Sequence, residues 1–176
     1  MPSRLEFTEH EIADVGLVLL LNGAIEPGDA DRLGAYLESS AEAKIPVALN
    51  SPGGLVDEAL AIGRMIRERE LATMVLSGMI CSSSCPYILA GGTERSVSRR
   101  GAVGLHQHYY LGPGYVPAYF AVEDIQRNQS RTMQYLIGMG IDPGVMVHSL
   151  NTPPDDIYVL VDEELLASAL ATAVVD

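Results

Sequence analysis

Residues 44–66, KIPVALNSPGGLVDEALAIGRMI, decide the fold. The stretch opens with a short apolar run, 44–50, of strand character. Ser51-Pro52-Gly53-Gly54 breaks that run, because proline lacks an amide donor and glycine tolerates sharp turns. Beyond the break, Ala59, Ile62, Gly63 and Ile66 recur at i, i+3, i+4 and i+7, the period of one helix face. Strand, glycine turn and helix in this order form half of a parallel crossover unit.

The pattern repeats on both sides. VGLVLLLNG (15–23) reads as a strand buried on both faces and ending in Asn-Gly. DADRLGAYLESS follows as a helix, with Asp29 as candidate cap and Leu33, Tyr36 and Leu37 on one stripe. LATMVLSG (71–78) reads as a third strand and PYILAGG as a short buried helix ending at Gly91-Gly92. RSVS and AVGLHQH read as short strands, YYLGPGYVPAY (109–119) as a loop, and residues from about 119 to 139 as the longest helix. Asp142-Pro143 opens another short helix; DIYVLV reads as a last strand and DEELLASALA as a helix with acids in its first turn. The expected architecture is a single α/β domain over residues 1–176, with repeated strand-helix units and a mainly parallel sheet. No internal repeat and no low-complexity tract interrupts it.

Composition narrows the function. The chain has 176 residues, a net charge of −12 and a pI near 4.6. That charge provides no basic footprint for nucleic acid and none for an anionic membrane surface. No segment reaches the roughly 20 apolar residues of a membrane span. The polar, acidic first residues, MPSRLEFTEHE, are no signal peptide, so the chain is expected to be soluble as written. A protein trimmed of a leader would read the same. The acids of TEHE and DEEL are expected on solvated faces or in a first helical turn.

In a parallel sheet, chemistry collects at the carboxyl ends of strands. Three such ends stand out: LNSPGG, CSSSC and LHQH. A serine is a weak nucleophile and needs a base, a group that orients the base, and N–H donors for the developing oxyanion. A serine at the start of the helix after CSSSC has such donors beside it, and PGG offers more. The ordinary alternative is helix capping, which serine does routinely. His106 and His108 share a face of a predicted strand, and either can serve as base. His10 and His148 lack partner motifs and read as surface or capping residues. Cys81 and Cys85, four apart, are free thiols in a reducing compartment or a disulfide in an oxidising one. With His106 and His108 they make a candidate Cys₂His₂ set, though C-x₃-C and H-x-H are not the usual zinc spacings.

Taken in order, LNSPGG, CSSSCPYILAGG, GLHQH and TPPDDIYVLVDEELLASALAT resemble the Clp-type serine proteases of the ClpP/crotonase superfamily. The similarity runs from about residue 16 to the end and looks nearest to a bacterial branch of periplasmic Clp-like proteins. The resemblance implies a ClpP/crotonase-like fold and a peptidase. It assigns the nucleophile to Ser83, the base to His106 with His108 second, and oxyanion N–H groups to Gly54 and Ser84. The third triad member falls on Asp156, with Asp155 the alternative. The flanking cysteines look like those of the periplasmic branch, which implies an oxidising home and a Cys81–Cys85 disulfide. A Ser–Lys dyad as in signal peptide peptidase relatives would have to use Lys44, the only lysine, which precedes the second strand and lies away from the strand ends.

The chain departs from the family pattern at Cys85, where glycine is usual. The loop 109–119 replaces part of the inter-ring handle, and the N-terminal loops that meet an unfoldase have no counterpart. The resemblance therefore implies a peptide or protein substrate and a homo-oligomer, but no ATPase partner; no metal or cofactor is expected. Two rivals share the fold: a non-catalytic peptide-binding or assembly module using the Tyr-rich loop, and a crotonase-type acyl-CoA enzyme using PGG as a thioester oxyanion hole.

Overall fold

The computed structural model describes residues 1–13, 15–40, 44–108 and 118–176. Nine strands and six α-helices follow one another in those residues. The strands are β1 (Glu6–Ile12), β2 (Gly16–Asn22), β3 (Val47–Asn50), β4 (Thr73–Val75), β5 (Ile80–Ser82), β6 (Arg95–Ser98), β7 (Ala102–Leu105), β8 (Tyr158–Val159) and β9 (Ala173–Val175). The helices are α1 (Asp29–Ser39), α2 (Val56–Glu68), α3 (Cys85–Gly91), α4 (Ala118–Gly138), α5 (Met146–Asn151) and α6 (Asp162–Ala167). A 3₁₀ turn, Pro143–Val145, precedes α5.

The strands form two sheets. The larger runs β1-β2-β3-β4-β6-β9 and is parallel except for the β1–β2 pair. The smaller runs β5-β7-β8, with β5 and β7 parallel and β8 antiparallel at its edge. The mainly parallel α/β reading therefore holds, with the sheet divided in two. The two sheets meet where Ser51, just past β3, bridges Cys81 of β5.

The main core fills the space between sheet and helices, from Leu5 to Ala171, and Val18, Ala48 and Met74 form a small second cluster. Helix α2 buries Leu60, Ile62 and Ile66 completely or nearly so. At about 1.5–3 kcal/mol per large aliphatic side chain, these three anchor α2 with roughly 5–9 kcal/mol. Gly63 of α2 lies against α3, where an added Cβ would meet the carbonyl of Tyr87 at 2.7 Å and the ring of Tyr135. Only a hydrogen fits there, so the seven-residue α3, every residue of it buried, packs backbone-to-backbone on α2.

Several elements differ from expectation. Strand β1 lies in a segment read only as polar; its EFTEHEI sequence is an exposed edge, and its register with β2 holds it. The stretch 71–78 is not one strand: β4 ends at Val75, the chain turns through Met79 N–H to Leu76 O, and β5 begins in the other sheet. Strand β7 ends at Leu105, so His106 and His108 lie beyond it rather than on its face. Strand β8 keeps only Tyr158 and Val159 of DIYVLV. Asp29 does not cap α1. Gly28 occupies the N-cap, and Asp29 is the first helical residue, buried and bonded by Arg4, Arg32 and the Glu26 N–H. Residues 109–117 of the Tyr-rich loop lie outside the described residues, while 118 and 119 already belong to α4. Among the described residues no helix is long and apolar enough to cross a membrane.

Candidate active site

Ser83 stands in the turn between β5 and α3 with φ +63°, a left-handed backbone rare for a residue with a Cβ. Its N–H donates to Gly104 O at 3.0 Å, which ties the turn to β7. The residue is partly exposed, and among the described residues its hydroxyl has no hydrogen-bond partner. Ser84 follows as N-cap of α3, but its hydroxyl does not cap the helix; it donates to Gly54 O at 3.1 Å. The serines of this turn therefore do not act as a side-chain helix cap.

The SPGG turn packs directly on this serine turn. Gly53 has φ +96°, and a Cβ there would sit 2.5 Å from Ser83 Cβ and 2.9 Å from Ser84 N. Gly54 runs alongside Ile25 as a parallel bridge: Ile25 N–H donates to Gly53 O and Leu55 N–H to Ile25 O. The flanking peptides face Ile25, whereas the Gly54 carbonyl faces Ser84 on the other side. Gly54 and Ser84 thus meet at the edge of the Ser83 turn.

His106 is buried, 7% exposed, immediately past β7. Ser82 pairs with Gly104 in the parallel β5–β7 register, so Ser83 and His106 follow the carboxyl ends of neighbouring strands. The backbone about His106 is clamped from one side. Ser149 Oγ donates to His106 O at 2.7 Å, Gln107 N–H to Thr152 O at 2.9 Å, and Gln107 Nε2 to Leu150 O at 2.7 Å. All three partners come from α5 and its end, a function of Ser149 that no sequence motif signals.

His108 takes a different partner. Its Nε2 lies 2.8 Å from the buried Tyr87 hydroxyl, and the two rings meet edge-on. Although the residue is exposed on its outer side, burial against Tyr87 and then the nearby His106 push its pKa below 6.5. Tyr87 is itself held well above the usual phenol range by burial. His108 therefore remains neutral near pH 7, with its Nε2 committed to Tyr87.

Asp155 and Asp156 are exposed in the turn before β8. Asp156 Oδ1 accepts the N–H of Ile157 at 2.7 Å. Their turn is adjacent to His106, because Leu105 pairs with Tyr158. His148, read as a surface or capping residue, stacks on Tyr158 with centroids 4.5 Å apart and approaches Glu164 at 3.6 Å. His10 is exposed on β1, 2.9 Å from Thr8 Oγ1. Lys44 pairs with Glu70 on the surface.

Cys81 and Cys85 form a disulfide, with Cα atoms 5.1 Å apart. This overturns the Cys₂His₂ reading, since a disulfide has no thiolate with which to ligate a metal. Among the described residues no group of three or more His, Cys, Asp or Glu is placed to hold a metal ion. A cleft of about 580 Å³ between α1 and α2 shares no residue with the Ser83 turn.

Comparison with known proteins bears on this geometry directly. The family model described as Clp protease matches residues 18–137, a span that includes the SPGG turn, Ser83 and His106. No curated protein matches the chain.

Proposed function

Because this chain belongs to the Clp protease family, we propose that it is a serine peptidase with Ser83 as nucleophile and His106 as general base. The observation that carries the proposal is the Ser83 turn itself. A left-handed serine with an unengaged, partly exposed hydroxyl stands at a strand–helix junction, one strand from a buried histidine. Strained backbone of this kind costs about 1–3 kcal/mol and persists where the surroundings over-determine it, commonly at functional sites.

In this reading His106 takes the Ser83 proton as Oγ attacks the scissile carbonyl carbon. The N–H groups of Gly54 and Ser84 stabilise the tetrahedral oxyanion. His106 then returns the proton to the leaving amine, and an acyl-enzyme on Ser83 remains. Water attacks it with His106 again as base, releasing the acid and restoring the serine. Asp156, or Asp155, orients His106 after its side chain turns inward from solvent.

The substrate is a peptide or protein, with the whole chain 1–176 as one catalytic unit. Self-association is supported by apolar side chains exposed along α4 and around β8, among them Ile125, Ile137, Val159 and Val161. The disulfide supports an oxidising location and kinship with the periplasmic Clp-like branch.

A non-catalytic peptide-binding module is the second reading, favoured by one observation: Asp155 and Asp156 are exposed to solvent, and Asp156 Oδ1 is engaged by the Ile157 N–H. Labelling with a fluorophosphonate, read by intact mass and peptide mapping, separates the two. The peptidase reading expects one adduct on Ser83 that is lost in His106→Ala. No adduct on folded protein selects the binding module.

A further inference from the structure

We infer that the Cys81–Cys85 disulfide is a positioning element for the nucleophile, and that its two-electron reduction disables Ser83 while the fold persists. The inference rests on the peptidase reading for its catalytic half only. Cys81 is the middle residue of β5 and Cys85 the first of α3, and both are fully buried. The bond therefore ties the middle of the strand to the first residue of the helix across the turn. Ser82, Ser83 and Ser84 are enclosed between them.

Ser82 is held within β5 by its pairing with Gly104 and its N–H on Ser51 O, and Gly53 packs on the turn from the SPGG side. Ser83 and Ser84 have one bond each to neighbouring segments, Ser83 N–H to Gly104 O and Ser84 Oγ to Gly54 O, and α3 has no side-chain cap. A left-handed serine is disfavoured against ordinary backbone conformations, so the turn relaxes when its ends are released. Cys81 and the body of α3 are held independently of the bond. Cys81 pairs with Val103 and bridges Ser51, and α3 is buried along its whole length. Loss of the bond thus loosens Ser83 and Ser84 without freeing the elements on either side, Ser82 of β5 included.

The sulfurs' burial also defines how reduction occurs. No reductant reaches them in the closed turn, so reduction follows local opening and is slow. With a water-soluble trialkylphosphine, two electrons from phosphorus break the S–S bond and water supplies two protons and one oxygen. The products are two thiols and the phosphine oxide. Oxidised glutathione reverses the change, yielding the protein disulfide and two glutathione thiols.

The experiment compares oxidised, phosphine-reduced and reoxidised protein, with redox state verified by intact mass. Amide hydrogen exchange over residues 82–87 reports the turn whether or not the site is active. Fluorophosphonate labelling of Ser83 reports the nucleophile. Reduction is expected to speed exchange in 82–87 by at least about tenfold and leave β2 and α2 unchanged. It is expected to slow labelling by at least about tenfold, and reoxidation to restore both. Unchanged exchange overturns the inference whatever labelling does, and so does faster exchange with undiminished labelling. No labelling of oxidised, folded protein instead overturns the assignment of Ser83 as nucleophile, and exchange still decides whether the bond holds the turn. The double variant Cys81→Ala/Cys85→Ala repeats the reduced state without reagent; if it fails to fold, the phosphine-reduced protein decides.

Discussion

Replacing Gly53 by alanine tests how the two turns meet. Gly53 has φ +96°, and an added Cβ lies 2.5 Å from Ser83 Cβ, 2.6 Å from Ser82 O and 2.9 Å from Ser84 N. Carbon atoms rest about 3.5–4.0 Å apart, so the serine turn must retreat by about 1 Å. Two costs add. A left-handed backbone with a Cβ costs about 1–2 kcal/mol, and overpacking costs about 1–3 kcal/mol. Their sum of roughly 2–5 kcal/mol lowers Tm by about 4–20 °C in a domain of this size. A displacement of about 1 Å at the proposed nucleophile slows the reaction about 100-fold. The assay is the rate of fluorophosphonate labelling at Ser83, measured beside a thermal melt. Gly78→Ala is the control, because Gly78 has φ +77° but its Cβ meets nothing within 4 Å. It carries the backbone cost alone and keeps the wild-type labelling rate. Labelling of Gly53→Ala within about threefold of wild type refutes the argument that this glycine seats the nucleophile.

Other perturbations follow from the same geometry. Ser83→Gly removes the left-handed penalty, so it melts no lower than wild type while all labelling at this site disappears. Arg67 donates to the carbonyls of Ala90, Gly91, Gly92 and Met139 at 2.9–3.2 Å. Arg67→Met orphans these acceptors and costs about 2–4 kcal/mol, seen as a lower denaturation midpoint. Asp29 is buried, which alone would raise its pKa, but Arg4, the Glu26 N–H and Arg32 hold it below 3.8. Its carboxylate therefore contributes stability fully above about pH 4, lost as pH falls through the lower folded value. Urea titrations of wild type steepen below that pH, whereas Asp29→Asn, less stable by about 3 kcal/mol at pH 7, shows a flatter acid limb.

Much of the fold is visible in strong local patterns. The 3.6-residue period of α2 and the length of α4, expected near 119–139 and found at 118–138, are of this kind. The short strands are not. Three-residue elements such as β4, β5 and β9 carry no periodicity, and non-local pairing alone makes them strands. Hence 71–78 reads as one strand although the chain changes sheets within it. Strand β1 eludes a pattern search because an exposed edge strand can carry charge, here Glu6, Glu9 and Glu11. The positions of Ser83 and His106 beyond the ends of β5 and β7 are legible through motif order. The disulfide is legible only through the family resemblance, because spacing alone leaves the thiols open to either redox state; the junction of β5 with α3 brings their Cα atoms to 5.1 Å. The clamp on His106 by Ser149 is silent for a similar reason. A serine bonding to a backbone carbonyl 43 residues away leaves no local signature.

The division into two sheets has a mechanical consequence. Ser83 and His106 ride on β5 and β7 of the small sheet, whereas Gly53 and Gly54 extend β3 of the large one. The seam between them is short: Ser51 N–H to Ile80 O, Ser82 N–H to Ser51 O, the Asn50 side chain on Ile80 N–H, and the Ser84 hydroxyl on Gly54 O. A shear along that seam leaves the serine–histidine spacing intact, because both residues move as one body. It changes instead the distance from Ser83 to the glycine amides. In the proposed peptidase, proton transfer and oxyanion binding are thus mounted on separate frames. A load on the exposed β8 edge of the small sheet acts on the second before the first.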